Sequence, residues 1–157
     1  PLTNFFGINM MPTFFVFAAM LPALYAISSE YAVEVNAWTF VGGAVCVIAA
    51  VIQFVSDGQM RRFRKDDNKG KNMELGLWKL SRHPNYFGEV SLWWGIWIMQ
   101  MSVLPSFWWT VFGPVAMTIL FVFISVPLMK KKLLASKDGY EEYIRTTSML
   151  IPWAKRK

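Results

Sequence analysis

Cysteine and histidine are almost missing from this chain: one Cys, at 46, and one His, at 83, stand among 157 residues. A lone cysteine forbids an intramolecular disulfide and any cysteine-rich metal site. A lone histidine excludes histidine-box di-iron chemistry and bis-histidine haem ligation, so no metal is expected. Neither GxGxxG nor GxxxxGK[ST] occurs, which removes the Rossmann and P-loop signals. Basic residues are absent from 1–60 and again from 83–129; all sixteen Lys and Arg fall within 61–82 and 130–157.

What remains is strongly apolar, with 55% hydrophobic and 17% aromatic residues. The mean hydropathy is +0.34, whereas a soluble domain of this length is usually less apolar. Apolar runs cover about 11–28, 37–55, 85–104 and 107–129, each near the ~20 residues that a bilayer core requires. Backbone groups in lipid must satisfy one another, so these runs should be helices. The expected fold is all-α: a single polytopic transmembrane bundle of about four helices. Pro114 and Pro127 are expected to kink or end the fourth. The turn at 29–36, with Glu30 and Glu34, and the turn at 105–106 hold no basic residue. The loop 56–84 and the tail 130–157 hold them all. The positive-inside rule then places that loop, the tail and residues 1–10 in the cytoplasm. This distribution accounts for the net charge of +6 without a nucleic-acid partner. The expected partners are the lipid bilayer and a lipophilic small molecule. Within the tail, Tyr140-Glu141-Glu142-Tyr143 reads as a short helix after Asp138-Gly139, and Ile151-Pro152-Trp153 as a return to the membrane surface. A start at Pro1 instead of Met suggests the C-terminal part of a longer protein.

Chemistry concentrates in two stretches. The first runs from Gly76 through Arg82-His83-Pro84-Asn85-Tyr86 to Glu89. Pro84 suits the first turn of a helix, and the free N–H groups there favour phosphate or carboxylate. Asn85 and Glu89 are four apart and share a helical face. Glu89 lies one turn into an apolar span, where an ionisable group is costly and points to function. In the second stretch, helical spacing puts Gln53, Asp57, Arg61 and Arg64 along one stripe. That stripe reads either as a snorkelling basic helix end or as a cofactor wall, with Arg binding phosphate and Asp or Gln a ribose or amide. Lys130, Lys131 and Lys132 read as a topological stop or as further phosphate contacts.

The stretch from Gly76 to Glu89, the Gln53…Asp57…Arg64 stripe and the closing Tyr143…Leu150-Ile151-Pro152-Trp153 resemble the C-terminal portion of the steroid 5α-reductase family, in its bacterial-type branch of membrane reductases. The resemblance implies NADPH as cofactor and reduction of a carbon–carbon double bond conjugated to a carbonyl in a lipid such as a 3-oxo steroid. It gives Glu89 the part of the catalytic glutamate that holds the enone carbonyl. It gives Asn85 a cofactor-binding part and puts Asp57 and Arg64 in the nucleotide site. Gln53 replaces an asparagine of the steroid enzymes, and Lys71 replaces a phosphate-contacting arginine, which keeps the charge but loses the bidentate fork. Lys131 or Lys132 stands nearest to a family histidine that has no counterpart. The tyrosine that accompanies the catalytic glutamate lies in the family's N-terminal half, beyond this chain.

The Arg82, His83, Pro84, Tyr86 and Glu89 pattern is also similar to isoprenylcysteine carboxyl and phospholipid methyltransferases, which implies S-adenosylmethionine as the alternative cofactor. Asn85, Gly88 and the Ser56-Asp57 pair favour the reductase. In that reading NADPH lies among Asp57, Arg61, Arg64, Lys71, Arg82, His83, Asn85 and Tyr86. A neutral Glu89 would then donate a hydrogen bond to the substrate carbonyl. A bacterial inner membrane is the favoured location, with the endoplasmic reticulum as the alternative. Oligomeric state is not encoded in these patterns.

Overall fold

The computed structural model describes residues 11–28, 34–66 and 68–155, with the side chains of Met11 and Pro12 left out. The expectations for residues 1–10 and for Glu30 lie outside the described residues. Among those described, regular structure is helical, apart from one isolated bridge between Ser81 and Ser148. The elements are α1 (Met11–Ser28), α2 (Ala37–Lys65), α3 (Pro84–Val103), α4 (Phe112–Ile119), α5 (Val126–Leu134) and α6 (Tyr140–Thr146). Helix α2 and the stretch Pro105–Leu134 are each long and apolar enough to cross a membrane, and Thr13–Ser28 forms a shorter apolar helix.

The second helix does not stop near residue 55. It continues to Lys65, so residues 56–65, expected in a loop, are helical. No proline interrupts this stretch, and Arg62, Arg64 and Lys65 in the last turn complement the negative end of the helix dipole. Its start is capped by Asn36. The Asn36 Oδ1 accepts from Trp38 N at 2.9 Å, and Asn36 N donates back to Thr39 Oγ1 at 3.2 Å. With a rise of ~1.5 Å per residue, α2 exceeds the ~30 Å of a hydrocarbon core, so its charged last turns need not enter lipid.

Neither proline of the last long run ends it. A 3-10 segment, Pro105–Val111, leads into α4, and a π-helical segment, Leu120–Ser125, joins α4 to α5. Pro114 sits in the first turn of α4, where a missing N–H leaves no bond unmade. Pro127 follows the π segment, whose wider turn moves aside the carbonyl that the ring would strike. The basic residues at 130–132 therefore sit on a helix and not in a tail.

The chain divides into two compact units, Pro1–Val47 with Val90–Phe121, and Ile48–Glu89 with Val122–Lys157. In the first unit α1 packs on α4, and Tyr25 meets Phe107 at 4.7 Å and the edge of Trp109 at 5.3 Å. Asn36 Nδ2 donates to Ser102 O at 2.6 Å, Thr39 Oγ1 pairs with Ser102 Oγ at 2.7 Å, and Cys46 Sγ donates to Leu92 O at 3.6 Å. Pairing 36 and 39 with 102, and 46 with 92, makes these helix segments antiparallel.

The most buried polar side chains of this unit satisfy each other. Gln100, 1% exposed, donates from Nε2 to Leu104 O at 2.8 Å. The Thr110 hydroxyl lies 2.6 Å from Gln100 Oε1 and 2.7 Å from Phe107 O. Thr110→Val keeps the shape and removes that hydroxyl, leaving a buried amide oxygen bare. Its expected cost is about 1–3 kcal/mol, measured as a lowered thermal midpoint in detergent. A variant as stable as the parent would show that this network contributes nothing.

Candidate cofactor cavity

The second unit encloses a cavity of about 730 Å³, within the ~300–1,000 Å³ of small-molecule sites. Three stretches of chain build it. The end of α2 supplies Phe54, Asp57, Met60, Arg61, Phe63 and Arg64; residues 68–86 supply Asn68, Lys69, Asn72, Met73, Trp78, Arg82, His83, Asn85 and Tyr86; the C-terminal stretch supplies Met129, Leu133, Lys137, Tyr140 and Tyr143.

Local structure explains why Arg82 to Tyr86 face inward. Gly76 opens a single 3-10 turn, Gly76–Lys79, at φ +57°, a left-handed conformation that a side chain resists. The Gln59 Oε1 accepts from Leu77 N at 3.0 Å, and Trp78 Nε1 donates to Ser56 O at 3.0 Å, which fastens the turn to α2. On its other side the C-terminal strap holds it. Tyr143 OH donates to Trp78 O at 2.5 Å, Ser81 Oγ to Leu150 O at 2.7 Å, and Trp153 N to Leu80 O at 3.0 Å. Arg82 is gripped twice, its N on Ser148 O at 2.9 Å and its Nε on Thr147 O at 3.2 Å. His83 N donates to Ser81 Oγ at 3.1 Å, and α3 begins at Pro84, as its missing N–H favours.

The cavity is electropositive. Among the described residues, Arg61, Arg64, Lys69, Arg82 and Lys137 line it against one carboxylate, Asp57. Lys137 donates to Lys71 O at 2.5 Å and lies 5.8 Å from the centre of the Phe63 ring. Its ammonium is held below the usual lysine range by burial and by the nearby Arg64 charge. His83 stacks on Tyr86, with ring centres 5.3 Å apart and planes 7° from parallel. Burial, with Arg82 beside it, lowers His83 to about 4, so the ring is neutral at pH 7. Burial raises the Tyr140 phenol; the Arg82 guanidinium nearby pulls the other way without meeting hydrogen-bond geometry. Burial likewise raises Tyr143, and Tyr140 adds to the effect.

Five buried polar atoms on this wall find no hydrogen-bond partner among the described residues: Arg82 Nη1, His83 Nε2, Asn85 Oδ1, Asn72 Oδ1 and Tyr140 OH. Such atoms are costly unless something else satisfies them. Together they offer a fixed guanidinium donor, a neutral imidazole, an amide oxygen and a phenol. That set suits a polar ligand that both accepts and donates hydrogen bonds.

Of the residues expected at the site, Asp57, Arg61, Arg64, Arg82, His83, Asn85 and Tyr86 come together on one cavity. Gln53, Lys71, Lys131, Lys132 and Glu89 are not on its wall. Gln53 Nε2 instead donates to Glu89 Oε2 at 2.8 Å, one turn beyond Asn85. Gly88 permits that approach, since an added Cβ there would stand 2.7 Å from Gln53 Cγ and 2.8 Å from Ala49 O. Lys71 is exposed and contributes its carbonyl to Lys137. Lys131 and Lys132 are exposed because α5 turns Met129 and Leu133, four apart, to the cavity. Lys69 and Lys137 are cavity cations that the sequence did not single out. Tyr140 and Tyr143 had a signal in the short tail helix, but nothing local tied that helix to Arg82.

The family model described as "Protein of unknown function (DUF1295)" matches residues 1–147. No curated protein and no solved structure matches the chain.

Two outcomes follow from this wall. Tyr143→Phe strips the buried Trp78 carbonyl of its donor and should cost about 1–3 kcal/mol, visible as a lower denaturation midpoint. His83 has a folded-state pKa of about 4 against 6.5 for the free side chain. As pH falls the unfolded chain takes its proton first, so stability present above pH 6.5 declines progressively down to about pH 4. His83→Gln should remove that part of the slope. An identical pH profile for parent and variant would contradict the assignment.

Proposed function

We propose that this chain, which belongs to the DUF1295 family, is a membrane-embedded reductase that uses NADPH to reduce a carbon–carbon double bond conjugated to a carbonyl in a lipophilic substrate, as steroid 5α-reductase-like enzymes do. The observation that carries this reading is the charge of the cavity: among the described residues, five cations against one carboxylate. NADPH brings a pyrophosphate and a further phosphate, whereas S-adenosylmethionine brings a sulfonium and no phosphate. Near a low-dielectric membrane such a difference is amplified.

Arg61, Arg64 and Arg82 would hold the phosphates, with Lys69 and Lys137 closing the cationic lip. The Arg82 guanidinium is pre-positioned by its Nε bond to Thr147 O, which lowers the ordering cost of gripping an anion. Asn85 and Asp57 supply an amide and a carboxylate for ribose or carboxamide groups. The His83–Tyr86 stack offers a flat face for a ring. NADPH, when bound, supplies the hydride. Glu89 lies off this wall, one helical turn beyond Asn85, with its carboxyl oriented by Gln53. In this scheme the Glu89 carboxyl group would hold the carbonyl oxygen of the substrate, where negative charge collects as hydride adds. Lys71, Lys131 and Lys132 take no part in this scheme.

The same reading has four helices crossing the membrane. The two long apolar helices support it, as do Thr13–Ser28 and the absence of basic residues from 83–129. It puts the cavity at the cytoplasmic face, in a bacterial inner membrane.

Glu89→Gln separates chemistry from binding. It retains the shape and a hydrogen bond to Gln53, so NADPH affinity should stay within about threefold while turnover of an enone lipid falls by about 10²-fold or more. Equal, small losses in both would remove Glu89 from the reaction. Arg64→Gln should do the reverse, weakening NADPH by about 10- to 100-fold, the worth of one charge-assisted hydrogen bond. Methyl incorporation from S-adenosylmethionine, with no oxidation of NADPH, would replace this function by methyl transfer.

A further inference from the structure

The strap that grips Arg82 has an outer face of its own. Ile151 is 63% exposed and Trp153 71%; beside them stand Leu75 at 67% and Leu80 at 37%. Two contacts bring these separate segments together. Trp153 N donates to Leu80 O at 3.0 Å, and Lys155 Nζ pairs with Glu74 Oε2 at 2.6 Å. The exposed side chains therefore belong to a fixed surface. The strap beneath it is anchored by Ser81 Oγ on Leu150 O and by the Ser81–Ser148 bridge. Four large apolar side chains, one of them a tryptophan, exposed together on two stapled segments fit an interaction surface.

We propose that this patch docks on the anionic surface of the same bilayer that the long helices cross, with Trp153, Ile151, Leu75 and Leu80 at the boundary of headgroups and acyl chains. The proposal rests on the membrane reading given above. Chain geometry supplies one argument. Leu80 precedes the first residue of α3 by four positions, which span at most about 14 Å of extended chain, so the patch lies within a headgroup layer's reach of a helix end. Charge supplies the second. Lys79 is exposed beside Leu80, and Glu74 is offset by its pairing with Lys155, so the described charges at the edge of the patch sum to a positive one. An apolar face with tryptophan, edged by lysine, fits an anionic lipid interface.

The test places a spin label at Ile151→Cys in a Cys46→Ser background, in nanodiscs of phosphatidylcholine alone or with one-third phosphatidylglycerol. Phe123→Cys, exposed on the last long helix, and Arg145→Cys, exposed on α6, are the lipid and water references. Accessibility to oxygen is compared with accessibility to a water-soluble nickel chelate. The label at 151 should favour oxygen, as 123 does and 145 does not, and should move deeper when phosphatidylglycerol is present. Lys79→Glu, which leaves the Lys155–Glu74 pair intact, should abolish that deepening. A label at 151 that reads as 145 does in both lipids, while 123 reads lipid, overturns the proposal and leaves the membrane reading standing. A depth indifferent to phosphatidylglycerol overturns the anionic partner. Protection that occurs only with two copies per disc assigns the patch to a second chain instead. Water at 123 as well overturns both the membrane reading and the proposal.

Discussion

Like charges crowded around one cavity are the constraint on which the second unit turns. Among the described residues, Arg61, Arg64, Lys69, Arg82 and Lys137 line it with Asp57 as the one carboxylate, and like charges sharing a site repel one another. The protein offsets this repulsion with backbone dipoles. Thr147 O takes the Nε proton of Arg82, and Lys71 O takes a proton of Lys137, while the ring of Phe63 faces the same ammonium. Each of these contacts holds a cation in place and leaves its charge in the cavity. Such an arrangement gains most from an anion, which would settle the remaining charge and satisfy Arg82 Nη1.

The strap from Thr147 to Trp153 has two sides, and they explain each other. Its inner carbonyls, those of Thr147, Ser148 and Leu150, hold Ser81 and Arg82. Its outer side chains, Ile151 and Trp153, form the apolar patch. A segment short of internal hydrogen bonds needs both kinds of contact to stay ordered. Tyr143 joins the strap to the Trp78 turn, and Gln59 and Ser56 join that turn to α2. A chain of neutral hydrogen bonds thus fixes the charged groups.

Much of this was readable in the sequence because it depends on local spacing. The 11–28 and 85–104 runs are helices within a residue, and Asp57, Arg61 and Arg64 share a face because i, i+4 and i+7 do so in any α-helix. The readings that changed had a common cause, the equation of charge with loop. Residues 56–65 and 130–132 are charged and helical, and once α5 runs to Leu134 its phase turns Met129 and Leu133 inward and Lys131 and Lys132 outward. Lys69, Lys137, Tyr140 and Tyr143 were not legible, because contacts more than sixty residues apart bring them to the wall, such as Asn72 Nδ2 to Asp138 O at 3.0 Å. The belonging of Glu89 to a pair with Gln53 was half legible. Each residue stands out in the sequence by itself, and only the close approach at Gly88 joins them.

Calorimetric titration of the purified chain in detergent tests most directly whether the cavity takes a polyanionic nucleotide, as proposed. NADPH and S-adenosylmethionine would each be titrated at low and high salt, with the parent and with Asn85→Ala. NADPH binding should weaken as salt rises, as screened phosphate contacts must, and should be lost or sharply reduced in the variant. Binding of S-adenosylmethionine in its place, or NADPH binding indifferent to both salt and Asn85, would contradict the proposal.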